Sequence, residues 1–536
     1  MTDTASRMTV ARSRTPDTAP RTTPTGVVYL VGAGPGDPGL LTLRGGKLLV
    51  TCDAIVYDAL ANPALLALAS VHDRSTPVEL HDVGKRGGAS ESARQDEINA
   101  LLIQLAHAGK RVVRLKGGDP LVFGRGSEEA QALAAAGVRF EIVPGVTAGI
   151  AAAAYAGIPV THRGVATSVT FVTGHEDPSK EATTIDWAAL ARSGGTIVVY
   201  MGVKRLPRIA AALVAGGMAA DTPAAAVQWG TYPHQRTVTG TLTTLASVMD
   251  REGISAPVVT IIGQVVALRD EIAWFDRRPL FGKRIVVTRA RSQAASLSGR
   301  LAAAGAEVIE MPATQIEAAD PGPLRNAISR IREFGWVIFT SQNAVRLFWD
   351  TLRGQSLDAR AMAGVKIAAI GPATSGALLE CGLAVDVSPD RFVAEALLDS
   401  LRERRDVRGV RVLYVAAAGA RETLQDGLEE LGAVVDRVVL YRSVVDGAGA
   451  EALRERLLND SADLVTFTSA SSVAAFVSAV GEDAAHRCPA ATIGPVTSAA
   501  AREHGITVVI EAADSTIAGL ADAVCEQLAT SNVRDS

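Results

Sequence analysis

From Gly26 onward the chain alternates short runs of Val and Ile with longer stretches rich in Ala and Leu. Runs of the first kind, bounded by Gly, Pro and Asp, have the length of strands, and the second kind spaces its apolar residues as helices do. Alternation of the two implies α/β units on mostly parallel sheets. Residues 27–31 and 54–57 read as strands, with a helix over 40–50 between them. A helix over 92–108 is closed by Gly109, a residue free to take the left-handed turn that stops a helix. Arg111 opens a further strand, in which Val112, Val113 and Leu115 are the apolar run and Gly117-Gly-Asp-Pro120 the stop. Ser127 then caps a helix whose first turn carries Glu128 and Glu129 and which Gly137 ends. Residues 140–143 lead into Pro144-Gly-Val-Thr-Ala148 and an alanine-rich helix, and a subdomain break is expected near 143.

The second subdomain, 144–270, continues with strands over 168–173, 196–200, 225–227 and 258–262, ending in Gly174-His175, Met201-Gly202, Gln228-Trp-Gly-Thr231 and Gly263. Residues 271–282 read as a linker whose aromatics, Trp274 and Phe275, pack on one neighbour. Beyond it the chain repeats itself. Arg284-Ile-Val-Val-Thr288 is echoed by Arg411-Val-Leu-Tyr-Val415, and Phe339-Thr-Ser-Gln-Asn-Ala-Val345 by Phe467-Thr-Ser-Ala-Ser-Ser-Val473. Ile370-Gly-Pro-Ala-Thr-Ser375 returns as Ile493-Gly-Pro-Val-Thr-Ser498. The order is kept over about 120 residues, which implies two similar α/β lobes in 283–536. A cleft between lobes lined by Thr- and Ser-rich turns suits a polyanionic ligand, since N–H and hydroxyl donors bind carboxylates without net charge.

Composition narrows the function classes. A length of 536 residues holds several domain-sized units, and a net charge of -4 supplies no basic field for nucleic acid or an anionic membrane. No apolar run reaches the length of a membrane span. Cys52, Cys381, Cys488 and Cys525 lack metal-ligand spacing, which fits a reducing cytoplasm, and the spacing of His162 and His175 gives no metal pair. No metal is expected. Residues 1–25, rich in Thr, Pro and Arg, have almost nothing to bury and read as a disordered tail.

Candidate chemistry gathers on two loops at strand ends, Val31-Gly-Ala-Gly-Pro-Gly-Asp-Pro38 and Lys116-Gly-Gly-Asp-Pro120. In α/β domains the ligand sits at such ends, and Gly117 and Gly118 let it approach the backbone. The first loop fails the dinucleotide fingerprint: its third glycine comes one position early, and Pro35 removes an N–H from the pyrophosphate turn. An adenine-bearing cofactor without phosphates fits better, and S-adenosyl-L-methionine is the obvious one.

Those loops, with Tyr57-Asp58, Val83-Gly-Lys-Arg86, Arg114-Leu-Lys116, Phe123-Gly-Arg-Gly126, Val143-Pro-Gly-Val-Thr-Ala148, Thr161-His-Arg163 and Tyr200-Met-Gly202, resemble uroporphyrinogen-III C-methyltransferase over about 26–275. The resemblance implies a two-subdomain methyltransferase (26–143 and 144–270), a homodimer, that methylates uroporphyrinogen III at two pyrrole carbons to give precorrin-2. It implies cofactor contacts from Pro35, Gly117, Gly118, Asp119, Val122, Thr147, Ala148, Met201 and Gly230, with Asp58 as proton acceptor and Lys85 as donor. Arg86, Arg114 and Arg163 are expected to meet substrate carboxylates. Taken alone, Asp58 is a solvated turn residue and the basic residues ordinary surface charges. The chemistry gives them sense, because a pyrrole carbon attacks an activated methyl and the protein aligns reactants and manages protons.

The repeat resembles uroporphyrinogen-III synthase through Val287-Thr-Arg-Ala290, Phe339-Thr-Ser341, Ile370-Gly-Pro372, Val439-Leu-Tyr-Arg442, Phe467-Thr-Ser469 and Ile493-Gly-Pro495. That implies closure of hydroxymethylbilane with inversion of its last ring. Tyr441 is the candidate to assist the departing hydroxyl, and Arg289, Thr340, Ser341, Asn343, Thr468, Ser469 and Thr497 are candidates for the acetate and propionate groups. Turn capping is the alternative use of those hydroxyls. Together the resemblances imply a bifunctional α/β enzyme, a two-subdomain tetrapyrrole methyltransferase followed by a two-lobed synthase-like domain, leading towards sirohaem or cobalamin. No stretch is left for a dehydrogenase or chelatase, so the expected reactions stop at precorrin-2. Two other readings stay open: a methyltransferase for another corrinoid intermediate, and a second half that binds tetrapyrrole without turning it over.

Overall fold

The computed structural model describes residues 26–69, 78–84, 95–174, 184–288, 291–311, 315–389, 394–404, 406–418, 420, 422–444, 447–459 and 462–532. The expected tail, Lys85, Arg86, His175 and Arg289 lie outside them. The chain divides into two compact units, Met1–Lys283 and Arg284–Ser536.

The first unit opens with β1 (Val27–Gly32), β2 (Ala54–Tyr57), β3 (Glu79–Asp82), β4 (Arg111–Lys116) and β5 (Arg139–Val143). They form one sheet in the order β3-β2-β4-β1-β5, with every pairing parallel. Its central strands read as apolar runs because both faces are covered. On one face Val28, Leu30, Val56 and Val112 pack against Ile98, Leu102 and Leu105 of the helix Gln95–His107, and on the other Val31, Ile55 and Leu115 pack against Leu48 and Leu49. Each fully buried Leu is worth about 1.5–3 kcal/mol relative to exposure. Parallel pairing puts the carboxyl ends of β1, β2, β4 and β5, and so all the glycine-rich loops, on one edge.

Two helix starts differ from expectation. The helix expected over 40–50 is a 3₁₀ turn, Pro38–Leu40, followed by Leu43–Thr51, because the Thr42 side chain accepts from the Gly45 N–H at 3.1 Å and restarts the chain. The next corrected start lies after β4. Ser127 does not cap its helix: the helix is Gly126–Ala135, and Arg125 at the cap position has φ 58° and no side-chain cap bond. The Gly126 N–H bonds to the Pro120 carbonyl at 3.0 Å, which brings the chain into the helix one residue early.

The second sheet contains β6 (Val169–Thr173), β7 (Thr196–Tyr200), β8 (Pro223–Gln228), β9 (Arg236–Thr241) and β10 (Val258–Ile262), in the order β6-β7-β10-β8-β9. Only β6 and β7 are parallel, so the expectation of mostly parallel strands does not hold here. The short loop 229–235 returns β9 directly alongside β8, a connection that antiparallel strands alone permit. The expected linker is folded against this unit. Trp274 and Phe275 stack on Tyr155 with ring centroids 5.1 and 4.7 Å away, and the Trp274 indole N–H donates to the Ala154 carbonyl at 2.9 Å.

The second unit holds β11 (Arg284–Val287), β12 (Glu307–Glu310), β13 (Gln315–Ala318), β14 (Trp336–Phe339), β15 (Lys366–Ala369), β16 (Arg411–Ala417), β17 (Val434–Val444), β18 (Leu464–Phe467), β19 (Ala490–Thr492) and β20 (Val508–Glu511). One sheet runs β12-β11-β18-β19-β20 and the other β13-β17-β16-β14-β15. Each lobe therefore draws on both repeats: β11 and β12 of the first repeat join β18 and β19 of the second, while β16 and β17 of the second join β14 and β15 of the first. The likeness extends to the cores, where Phe339 meets Phe348 edge-on at 5.3 Å and Phe467 meets Phe476 at 5.5 Å.

Candidate active sites

In the first unit, Pro35, Gly117, Gly118, Asp119, Val122, Thr147, Ala148, Met201 and Gly230 line one cavity of about 520 Å³, within the range of small-molecule sites. Its base is a knot of three loops. The Gly118 N–H donates to the Gly34 carbonyl at 2.7 Å, and the Gly34 N–H donates back to Gly118 at 3.2 Å. Asp119 ties this pair to the loop after β5, one oxygen accepting from the Leu121 N–H at 2.8 Å and the other from the Gly145 N–H at 3.0 Å. A side chain on Gly32 would lie 2.5 Å from the Gly145 Cα, so close approach of backbone to backbone is what requires glycine there. Gly117 likewise faces Leu60, whose Cβ would stand 2.8 Å from an added methyl. Close packing on Leu60 is thus a second reason for glycine there, beside its place on the cavity wall.

The upper walls are strained. Phe123, Arg125, Met201 and Trp229, all lining the cavity, take φ of 54°, 58°, 52° and 49°, a conformation that side chains beyond glycine adopt at a cost and that concentrates at functional sites. Tyr200 braces them: its hydroxyl accepts from the Gly149 N–H at 2.6 Å and pairs with the Thr147 hydroxyl at 2.7 Å. Burial pushes its phenol up, so it serves as a neutral hydroxyl. Asp37 latches the two subdomains, accepting from the Tyr155 hydroxyl at 2.6 Å while its N–H donates to the Thr231 hydroxyl at 2.9 Å.

Asp58 lines the same cavity, as do Gly84 and Lys116. Arg114 does not, and its expected role at a substrate carboxylate is corrected: it is only 2% exposed. Its Nε donates to Glu129 at 3.1 Å and its other nitrogens to the Val56 and Leu115 carbonyls and Asp58. Arg163 is exposed in the turn bridged by His162 and Ala166 and is not brought to the cavity wall. The sequence reading missed Lys116, although strand alternation puts it on the same face as Arg114, and treated Glu129 as a helix-terminus charge although it is wholly buried.

In the second unit the candidate residues fall into two sets. Just past β14, and within β17 where its pairing passes from β16 to β13, the Tyr441 hydroxyl bonds to the Ser341 hydroxyl at 2.9 Å, and Ser341 caps the helix Gln342–Gly354 through the Ala344 N–H. Thr340, beside it, is near enough to the buried Tyr414 to offset part of the rise that burial gives that phenol, and Asn343 is half-buried in the first turn of that helix. Thr468 and Ser469 take the equivalent turn of the other sheet, where Ser469 and Ser472 form a capping box, and Thr497 is buried in the helix Pro495–Glu503. Capping thus accounts for Ser341 and Ser469.

Two α/β subdomains closed on a ligand cavity, followed by a unit of exchanged repeats, define a two-module enzyme. A family model described as Tetrapyrrole (Corrin/Porphyrin) Methylases matches residues 27–246, and one described as Uroporphyrinogen-III synthase HemD matches 295–522. Porphyrin biosynthesis protein HemD of Ruminiclostridium josui is 36% identical over 502 residues, covering 94% of this chain and 98% of that protein. The chain belongs to this family: it is a bifunctional enzyme of tetrapyrrole biosynthesis, a methyltransferase fused to a uroporphyrinogen-III synthase. The S-adenosyl-L-methionine-dependent uroporphyrinogen III methyltransferase of Methanosarcina barkeri is 51% identical over 46% of the chain and 94% of its own length. Uroporphyrinogen-III C-methyltransferase of Bacillus subtilis is 44% identical over 62% of the chain and 68% of its own length.

Proposed function

We propose that the second unit closes hydroxymethylbilane to uroporphyrinogen III, and that the first transfers two methyl groups from S-adenosyl-L-methionine to that product, giving precorrin-2. The observation that carries the reading is how the cavity's backbone donors are used. In the glycine loop after β1, the Gly34 N–H is spent on the Gly118 carbonyl, the Gly118 N–H on the Gly34 carbonyl, and Pro35 has none. That pair of loops is therefore poorly suited to cradle phosphates, whereas the apolar wall of Val122, Phe123, Met201 and Trp229 suits an adenine-bearing cofactor without them. Pro35, Gly117, Gly118, Asp119, Val122, Thr147, Ala148, Met201 and Gly230 would hold it, and it supplies an activated methyl group.

The chain's own residues then align and deprotonate. The knotted loops fix the cavity floor against the strained walls, which sets where the reacting groups lie. Asp58 faces the cavity as a carboxylate able to accept the proton released when a ring carbon is methylated. In the second unit the paired hydroxyls of Tyr441 and Ser341 are the groups proposed to help the substrate hydroxyl depart. Lys85 as proton donor, and Arg86, Arg163 and Arg289 at substrate carboxylates, rest on the motif resemblance. So does a homodimer formed through the methyltransferase unit, whose exposed Leu43, Leu80 and Leu121 offer apolar surface. Work in the reducing cytoplasm is part of the same reading, in keeping with sparse, scattered cysteines.

The test supplies purified protein with uroporphyrinogen III and the methyl donor and follows the product by mass. Two added methyl groups are expected. Preference for a different, already methylated acceptor would replace the reading with a later step on the corrinoid route.

A further inference from the structure

Behind the methyltransferase cavity runs a chain of charged side chains of which only the two ends reach the cavity. Asp58 and the almost fully buried Lys116, 3% exposed, are among its lining residues, whereas Arg114, 2% exposed, and Glu129, 0% exposed, are not. Glu129 Oε1 accepts from the Lys116 ammonium at 2.8 Å, from Arg114 Nε at 3.1 Å and from the Gln95 amide at 3.2 Å. Arg114 passes on to Asp58 Oδ2 at 3.4 Å. We propose that Glu129 is a positioning residue for methyl transfer: it holds Lys116 directly, and Asp58 through Arg114, as two oppositely charged groups on the cavity wall. The proposal rests on the reading that this cavity carries the methylation.

Stability alone gives no reason for such a cluster. Burying ions costs desolvation that their mutual attraction barely repays, and well-packed apolar residues commonly do as well or better. Two buried acceptors, Glu129 Oε2 and Asp58 Oδ1, have no hydrogen-bond partner among the described residues, a cost that a purely structural cluster would be expected to avoid. A buried cluster ending in a cleft is instead the arrangement that tunes reacting groups.

The electrostatics fix the direction of the effect. Burial, with Arg114 adding to it, makes the Lys116 ammonium easier to deprotonate, and Glu129 and Asp58 act the other way. The charged groups facing Lys116 among the described residues are Arg114 on β4, Asp58 after β2, and Glu128 and Glu129 on the helix Gly126–Ala135. Arg125 and Asp96 stand behind those acids. Removing the Glu129 charge therefore leaves Lys116 with its burial and the Arg114 repulsion but without its nearest anion. It then loses its proton at lower pH.

The test compares methyl transfer against pH for the wild type, Glu129→Gln and Glu129→Asp. Glu129→Gln is expected to lower kcat tenfold or more near neutral pH with KM for the methyl donor close to wild type. Its alkaline limb should move about one unit or more to lower pH, as loss of a close counter-charge does. Glu129→Asp, which keeps the charge on a shorter stem, should recover part of the shift. An unmoved profile, or a loss equal at every pH that follows a lowered Tm and that aspartate does not relieve, overturns the proposal. If Glu129→Gln does not fold, Lys116→Arg decides. It keeps the charge but does not deprotonate, so the alkaline limb should disappear, and a limb left in place overturns the proposal. Wild-type protein inactive at every pH is a distinct failure, removing the functional reading and this inference together.

Discussion

Gly32→Ala tests whether loop closure is what makes the methyltransferase cavity. Gly32 ends β1, and an added Cβ would stand 2.5 Å from the Gly145 Cα, 2.6 Å from the Gly145 nitrogen and 2.7 Å from the Gly118 carbonyl oxygen. All three are backbone atoms, so no rotamer change relieves the clash. Ordinary contact begins near 3.4 Å, and the loops must part by nearly 1 Å. Overpacking of this kind costs about 1–3 kcal/mol. The larger effect is on rate, because a displacement of about 1 Å in positioning groups costs on the order of 10²-fold. Gly137→Ala is the control. It sits at φ +69° with nothing within 4 Å, so it pays only the left-handed penalty of about 1–2 kcal/mol and leaves the cavity alone. The assay is methyl transfer by both variants, with synthase turnover of the same samples as the internal reference and thermal unfolding for stability. Gly32→Ala is expected to lose methyl transfer and keep synthase turnover, and Gly137→Ala to keep both. Full methyl transfer by Gly32→Ala, or equal loss in both variants, would refute the reasoning.

Three further outcomes follow from named contacts. Tyr441→Phe removes the hydroxyl paired with Ser341 and should lower synthase turnover by about 10²-fold, the usual worth of positioned proton transfer, with methyl transfer unchanged; steady-state kinetics on each substrate decides. Tyr155→Phe takes one partner from Asp37 Oδ2 and should cost about 1–3 kcal/mol in denaturant unfolding of the methyltransferase unit. Cys488, 1% exposed, has its thiol pushed up to about 12 by burial, with Asp463 adding to it. Its proton is held more tightly folded than unfolded, so its stabilising contribution is complete below the unfolded pKa of about 8.5 and is lost as pH rises towards 12. At pH near 9 a thiol reagent should therefore modify Cys488 only as the protein unfolds, and native-state labelling at the unfolded rate would contradict this.

What was legible in the sequence follows from which signals survive in one dimension. The glycine loops stood out because glycine and proline punctuate strands, and parallel pairing then carries those loops to one edge, as with Gly34 and Gly118. Direction of pairing leaves no such trace. Val258–Ile262 has the apolar run of any central strand, and nothing in it says that it lies antiparallel between β7 and β8. Self-similarity likewise revealed the repeat but not its exchange, since order along the chain does not say which strands pair. Charged residues were the main source of error. Arg114 was expected at a substrate carboxylate and Glu129 at a helix terminus, because charge is normally exposed, and only their mutual pairing, made by a strand and a helix after folding, allows them to be buried.

The central claim, two linked activities in one chain, is tested most directly by giving the purified protein hydroxymethylbilane with and without S-adenosyl-L-methionine and identifying the products. The account predicts the III isomer of uroporphyrinogen without the methyl donor and its dimethylated product with it. Only the I isomer, which forms spontaneously, would contradict the synthase assignment, and an unmethylated III isomer in the presence of donor would contradict the methyltransferase one.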